Sequence, residues 1–177
     1  MELYNNHGVV LTIDRSALKK MISSVKNNQS LEAGGVLLGK KKISCETYTV
    51  TDVGIPTKYD RRAPLHFIRS AVSARQQVDD AWKKSSGTVN HIGEWHSHTF
   101  ASPYPSPQDR RDMVRAFLDG EYVFDHFFTI IVSNDWQIFT GLVERGKIVD
   151  YKIVKVGREL CTDTALESIA KTEENKL

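Results

Sequence analysis

His96, His98 and Asp109 stand within fourteen residues of one another, in the stretches Gly93-Glu94-Trp95-His96-Ser97-His98 and Ser102-Pro103-Tyr104-Pro105-Ser106-Pro107-Gln108-Asp109. Along an extended chain, side chains alternate faces, so the two imidazoles project to one side and Ser97 to the other. Seven residues separate His98 from Ser106. That is enough chain to turn back and open a helix whose first turn aims Asp109 at the same point. Two imidazoles and a carboxylate suit zinc, with ligand atoms about 2.0–2.2 Å from the metal and a fourth tetrahedral position left to water. Such a centre keeps a formal charge of about +1 and lowers the pKa of bound water toward neutrality, which is hydrolytic chemistry.

Activated water needs a base, and a carboxylate off the metal is the usual supplier. Glu32, ahead of Gly34 and Gly35, and Glu94, two residues before His96 on the same strand face, both meet that description. Spacing alone does not choose between them, and Glu94 also suits a role as hydrogen-bond partner of a ligand histidine. The Ser106 hydroxyl can cap the helix and can also stabilise the oxyanion of a tetrahedral intermediate. Neither half of the pattern is specific alone: two histidines on one strand face are common, and Ser-Pro-Gln-Asp is by itself a capping box. Their joint spacing carries the metal reading. No HExxH occurs, and no PCxxC follows a histidine as in nucleobase deaminases. His7, His66, His91 and His126 lack comparable company and are expected to be structural.

The elements that must position these groups follow from periodicity. Val9 to Ile13 reads as a strand, and Ser16 to Lys26 as a helix with Leu18, Met21, Ile22 and Val25 on one face. Gly34 to Gly39 is a short buried strand, with Thr47 to Val53 as its partner. Gly54 to Leu65, with Pro56, Pro64 and the run Lys58-Tyr59-Asp60-Arg61-Arg62, reads as a loop. A helix is expected over Ile68 to Lys84, then a strand from Val89 to Trp95. Ser106 caps a third helix, with Pro107 at its first position, Asp109 in its first turn, and Gly120 at its end. His126 to Val132 and Trp136 to Val143 form a β-hairpin, and Ile148 to Val156 adds a last strand. Strands interleaved with helices and closed by a β meander give an α/β layered domain with a mixed sheet.

In this order and spacing the sequence resembles the JAMM (MPN+) metalloproteases, whose pattern is an upstream glutamate, then HxH, seven residues, then SxxD. Their glutamate precedes a glycine-flanked strand, and Glu32 in Glu32-Ala33-Gly34-Gly35-Val36-Leu37-Leu38-Gly39 matches that context. The resemblance therefore implies Zn2+ held by His96, His98 and Asp109, with Glu32 as general acid/base and Ser106 assisting the oxyanion. It also implies a cytidine-deaminase-like JAMM/MPN fold over residues 1–157, with 158–177 as a C-terminal helix or flexible tail. Thr99 stands where many members have proline, which touches only local loop shape. The wording around the histidines and the short length look like the prokaryotic JAB branch. Its members resemble deubiquitinase-like peptidases encoded beside E1-like and E2-like enzymes, notably in CBASS anti-phage operons with a cGAS/DncV-like nucleotidyltransferase (CD-NTase). The resemblance thus implies a cut, at a peptide or isopeptide bond, after the extended C-terminal tail of the conjugated CD-NTase. Alternatives of the same descent are deconjugation of a bacterial ubiquitin-like protein, a RadC-like DNA-associated role, or a non-catalytic MPN scaffold.

Composition narrows these. The 177 residues carry 24 basic and 22 acidic side chains, a net charge of +2 that disfavours a mainly electrostatic nucleic-acid or membrane binder. No apolar run approaches the ~20 residues of a membrane span, and the N-terminus lacks a secretory signal, so a cytoplasmic protein is expected. Cys45 and Cys161 are expected to be packed or idle thiols, since two cysteines without CxxC spacing make neither a disulfide framework nor a zinc site.

Overall fold

A computed structural model of the chain describes residues 2–4, 8–27, 30–100, 102–144, 147–150 and 154–155. The half-buried alternation of Val10–Ile13 (β2) and Thr47–Val53 (β4) turns one face of each inward, and the two strands run parallel. β1 (Glu2–Tyr4) lies antiparallel against β2. Gly34–Lys41 (β3) is buried through its first six residues, as a central strand covered on both faces must be. A two-stranded hairpin comes next, Arg61–Ala63 (β5) with His66–Ile68 (β6). Asn90–His98 (β7), Phe127–Ser133 (β8), Gln137–Glu144 (β9), Lys147–Asp150 (β10) and Val154–Lys155 (β11) complete the main sheet, whose order is β1-β2-β4-β3-β7-β8-β9-β10, with β11 also on β9. The sheet is mixed: β2 with β4 and β7 with β8 are parallel, and the other pairs antiparallel.

Three helices flank it, Arg15–Lys26 (α1), Ala71–Lys84 (α2) and Pro107–Asp119 (α3). α1 buries Ala17, Leu18, Met21, Ile22 and Val25 in the larger core with Leu37, Trp95, Phe128 and Ile130. α2 packs through Ala74, Val78 and Ala81 on Val36 and Leu38. α3 packs through Met113, Val114 and Phe117 on Phe127, Ile131, Phe139 and Val143. Because neighbours along a strand face opposite ways, α1 covers one face of the sheet and α2 and α3 the other. This parity decides where the chemistry falls. Trp95 pairs with Ile130 and enters the α1 side, whereas His96 pairs with Ile131 and so faces the side where α3 lies.

The mixed sheet flanked by helices is the α/β architecture expected from the sequence. Several boundaries change. The Gly54 to Leu65 stretch is not wholly a loop, since β5 lies inside it, and Ile68 belongs to β6 rather than to a helix. Ile68 pairs with Arg61 in an extended conformation, so the helix starts only after Ser70, whose side chain accepts from the Ser73 amide. The strand read as Val89 to Trp95 runs on to His98, which places both histidines in regular β structure. The expected last strand is seen as β10 and β11, with 151–153 and 156 outside the described residues, as are the 158–177 segment and Cys161. Cys45 is exposed rather than packed. Among the described residues, no helix is long and apolar enough to cross a membrane.

Candidate metal centre

At the end of β7 the ring nitrogens of His96 and His98 approach to 3.2 Å, Nε2 to Nε2. The Asp109 carboxylate reaches both, Oδ1 lying 3.5 Å from His96 Nε2 and Oδ2 3.4 Å from His98 Nε2. One ligand atom from each residue lies within 4.8 Å of the others, and among the described residues this is the group of three that can hold a metal ion. His98 Nδ1 lies 2.7 Å from the Ser102 carbonyl. That carbonyl only accepts, so Nδ1 carries the proton and Nε2 keeps its lone pair for a metal. Asp109 is fixed by the capping box at the start of α3: its amide donates to Ser106 Oγ at 3.1 Å and its carboxylate accepts from the Ser106 amide at 2.7 Å. Burial pushes the Asp109 carboxyl up, but the adjoining His96 and His98 imidazoles and the Ser106 cap outweigh it and hold the group well below the usual carboxylate range. The aspartate is thus an anion at any working pH. A converging nitrogen, nitrogen and anionic oxygen set of this kind fits a zinc-class divalent ion.

Glu32 is buried, only 6% exposed, just ahead of β3. Burial raises its carboxyl to about 7; the nearby His98 opposes that rise and Asp109 adds to it. A carboxyl at such a value can take and return a proton near neutrality. Glu94 also faces this side, but its carboxylate is engaged by the Arg69 guanidinium in a short ion pair. The two glutamates that spacing left open thus differ in their surroundings. Glu32, Glu94, His96, Ser106 and Asp109 all line one cleft of about 710 Å³, together with Leu65, Phe67 and Ile68 of the hairpin region and Met113 of α3.

All five residues singled out from the sequence lie at this corner. Ser97, read as pointing away, does so: its hydroxyl accepts from the Ala33 amide at 2.8 Å, and its amide donates to the Ala33 carbonyl at 2.7 Å. This ties the segment bearing Glu32 to the strand bearing both histidines. His66, expected to be structural, lies among the residues that line the cleft. His91 and His126 are structural as expected, His91 bonding the Gly93 carbonyl and His126 the Tyr48 hydroxyl; His7 lies outside the described residues. Arg62 and Arg69 were missed. Their partners are 30 and 25 residues away, and no local spacing announces such contacts.

The chain is similar to several known proteins. A protein of Vibrio cholerae named CD-NTase/cGAS isopeptidase is 28% identical over 124 residues, 70% of this chain and 75% of that one. One of the same name from Pseudomonas aeruginosa is 30% identical over 112 residues, 63% of this chain and 70% of the other. The fold is similar to the solution structure of a Desulfitobacterium hafniense protein, with a TM-score of 0.55 at 18% identity, covering 79% of this chain and 88% of that one. Residues 14–141 match the family described as prokaryotic homologs of the JAB domain, and the chain belongs to that family.

Proposed function

We propose that this protein is a zinc-dependent isopeptidase that cuts the bond after the C-terminal tail of a protein conjugated by E1/E2-like enzymes, with a CD-NTase of an anti-phage system as substrate. One observation carries the reading: His96, His98 and Asp109 converge on the rim of a cleft that also holds the buried Glu32. The names of the similar proteins supply the substrate class.

His96, His98 and Asp109 would hold the zinc, which when bound supplies Lewis acidity toward the scissile carbonyl and makes water acidic enough to lose a proton near neutrality. Glu32 takes the proton of the attacking water and returns it to the leaving nitrogen, and its raised pKa suits both transfers. Ser106 Oγ already accepts the Asp109 amide, so its hydroxyl hydrogen remains to donate to the developing oxyanion. An extended tail adds to the hairpin as a further strand along β6, its side chains read alternately by the cleft. The Gly54 to Leu65 stretch clamps it there. The reaction belongs in the cytoplasm, where conjugating enzymes and substrate meet.

The test is a fusion of the CD-NTase C-terminus to a reporter protein, incubated with zinc-loaded enzyme. Wild type is expected to release the reporter, and Glu32→Gln and Asp109→Ala to leave it joined. Equal cutting by all three, or none by wild type, overturns the reading.

A further inference from the structure

We propose that Arg62 is a positioning residue for Glu32, acting through the hairpin β5–β6 as a brace; the inference rests on the reading of Glu32 as the base. Glu32 lies in a stretch with no regular structure, between the turn at Ser30 and the start of β3. Its backbone is held by specific partners instead of by a ladder. Arg62 Nε donates to the Glu32 carbonyl at 2.8 Å, and Arg62 Nη2 to the Leu31 carbonyl at 3.3 Å. The Glu32 amide in turn donates to the Ala63 carbonyl at 3.0 Å. One planar guanidinium thus spans two consecutive carbonyls, a fork that a lysine ammonium does not reproduce.

The hairpin that presents Arg62 is itself fixed at three points. The Phe67 ring lies over Gly34 so closely that a Cβ there would sit 2.5 Å from it. Arg69, just beyond β6, is paired with Glu94 of β7. Asp60 closes the base of the unit, one oxygen accepting from the Ser70 amide at 2.7 Å and the other from the Thr57 amide and hydroxyl. The hairpin also offers His66, Phe67 and Ile68 to the cleft, whereas Arg62, paired with Phe67 across the hairpin, is not among the lining residues. A substrate tail that moves β6 therefore moves the support of the base, and a wrongly seated tail leaves Glu32 misplaced. Arg62 acts on turnover without touching substrate.

The experiment compares zinc-loaded wild type, Arg62→Ala, Arg62→Lys and, as control, Arg61→Ala at the exposed neighbouring position. Steady-state cleavage of the fusion, zinc stoichiometry and amide hydrogen exchange over residues 31–36 are measured on each. For Arg62→Ala the expected result is a kcat lower by ~10²-fold, the scale of a base misplaced by about 1 Å, with KM within about twofold. Zinc stoichiometry stays that of wild type, exchange over 31–36 quickens, Arg62→Lys falls between, and Arg61→Ala matches wild type. If Arg62→Ala does not fold, Arg62→Lys carries the test with a roughly tenfold loss in kcat and the same exchange signature. An unchanged kcat, a rise in KM at constant kcat, or loss of zinc overturns the proposal. If wild type itself cuts no fusion, the functional reading fails separately, and exchange decides alone: quickening in Arg62→Ala but not in Arg61→Ala upholds the brace, and no quickening overturns it.

Discussion

Two regions meet at the cleft and are built on opposite principles. The metal corner is local: His96 and His98 ride one strand, and Asp109 opens a helix that a capping box fixes within four residues. The base corner is assembled at long range, Glu32 being held by Arg62 and Ala63 from the hairpin and, through Ala33, by Ser97 from β7. A ligand set needs its donors converging whatever else moves, and short chain segments deliver that with little entropy of closure. A base that must meet both water and leaving group gains from support that also feels the substrate. On the proposed function, the metal corner sets whether chemistry occurs and the braced corner how fast.

The largest effects separate the two corners. His96→Ala or Asp109→Ala removes one of three ligands, so zinc stoichiometry by elemental analysis falls toward zero and cleavage with it. Glu32→Gln keeps the ligands and loses the proton carrier, so zinc stays bound while kcat falls by roughly 10²–10⁴-fold. If Glu32→Gln lost its zinc, Glu32 would belong to the metal corner and the division would fail. Ser106 tests the seam. Ser106→Gly is expected to lower kcat by ~10²-fold, as loss of an oxyanion donor does, while stability in urea changes by only a few tenths of a kcal/mol because glycine is a tolerable cap. A stability loss without a rate loss would reduce Ser106 to its cap.

The same contrast explains what the sequence disclosed. Strand parity and a capping box are short-range rules, so His96, His98, Ser106 and Asp109 could be read from spacing alone. Choosing Glu32 over Glu94 took a family resemblance, because the fact that separates them physically, Arg69 occupying Glu94, joins residues 25 apart. The hairpin was hidden for a related reason. Arg61–Ala63 and His66–Ile68 are three-residue strands, too short for a period, and Pro64 with the charged run before it reads as loop. Longer elements such as α1 and the β8–β9 hairpin, with several periods each, were legible to within a residue or two.

His91 of β7 packs against the aromatic cluster beside α3, its ring 5.2 Å from that of Tyr122 and 5.5 Å from that of Phe127. Burial lowers it from 6.5 to about 4; Glu94 opposes that and Arg69 adds to it. The folded protein therefore keeps His91 neutral while the unfolded chain takes up a proton as pH falls below 6.5. Stability on this account rises with pH across the window from about 4 to 6.5, and about 3 kcal/mol is lost in descending it. Urea unfolding at pH 7 and at pH 4.5 measures it. His91→Phe, which keeps a ring between Tyr122 and Phe127, is expected to flatten the slope by about one proton, and an unaltered slope would remove His91 from the account.

The smallest expected effect is the most direct test of the brace as a mechanical object. A Cβ at Gly34 would lie 2.5 Å from the Phe67 ring and 2.7 Å from the Trp95 carbonyl oxygen. Displacing the ring relieves only the first contact and moves the hairpin; the second is with the backbone of β7, which must shift as well, and β7 carries His96 opposite Gly34. Gly34→Ala is expected to cost about 1–3 kcal/mol of stability, the usual penalty of overpacking. Because Phe67 and Arg62 share one hairpin, the displacement should also reach Glu32 and lower kcat, and zinc content, measured alongside, separates this from a shift of His96 on β7. Gly8, where an added Cβ meets nothing within 4 Å, is the wrong control because its φ of +78° strains any side chain. The useful pairing is Gly34→Ala with Phe67→Leu, whose smaller side chain makes room for the new methyl. Since the contact with the Trp95 carbonyl remains, partial recovery is expected: kcat recovering in step with stability in the double variant would show that the path from β3 to the base runs through this ring, whereas stability recovering with kcat still low would place the base's support outside the hairpin.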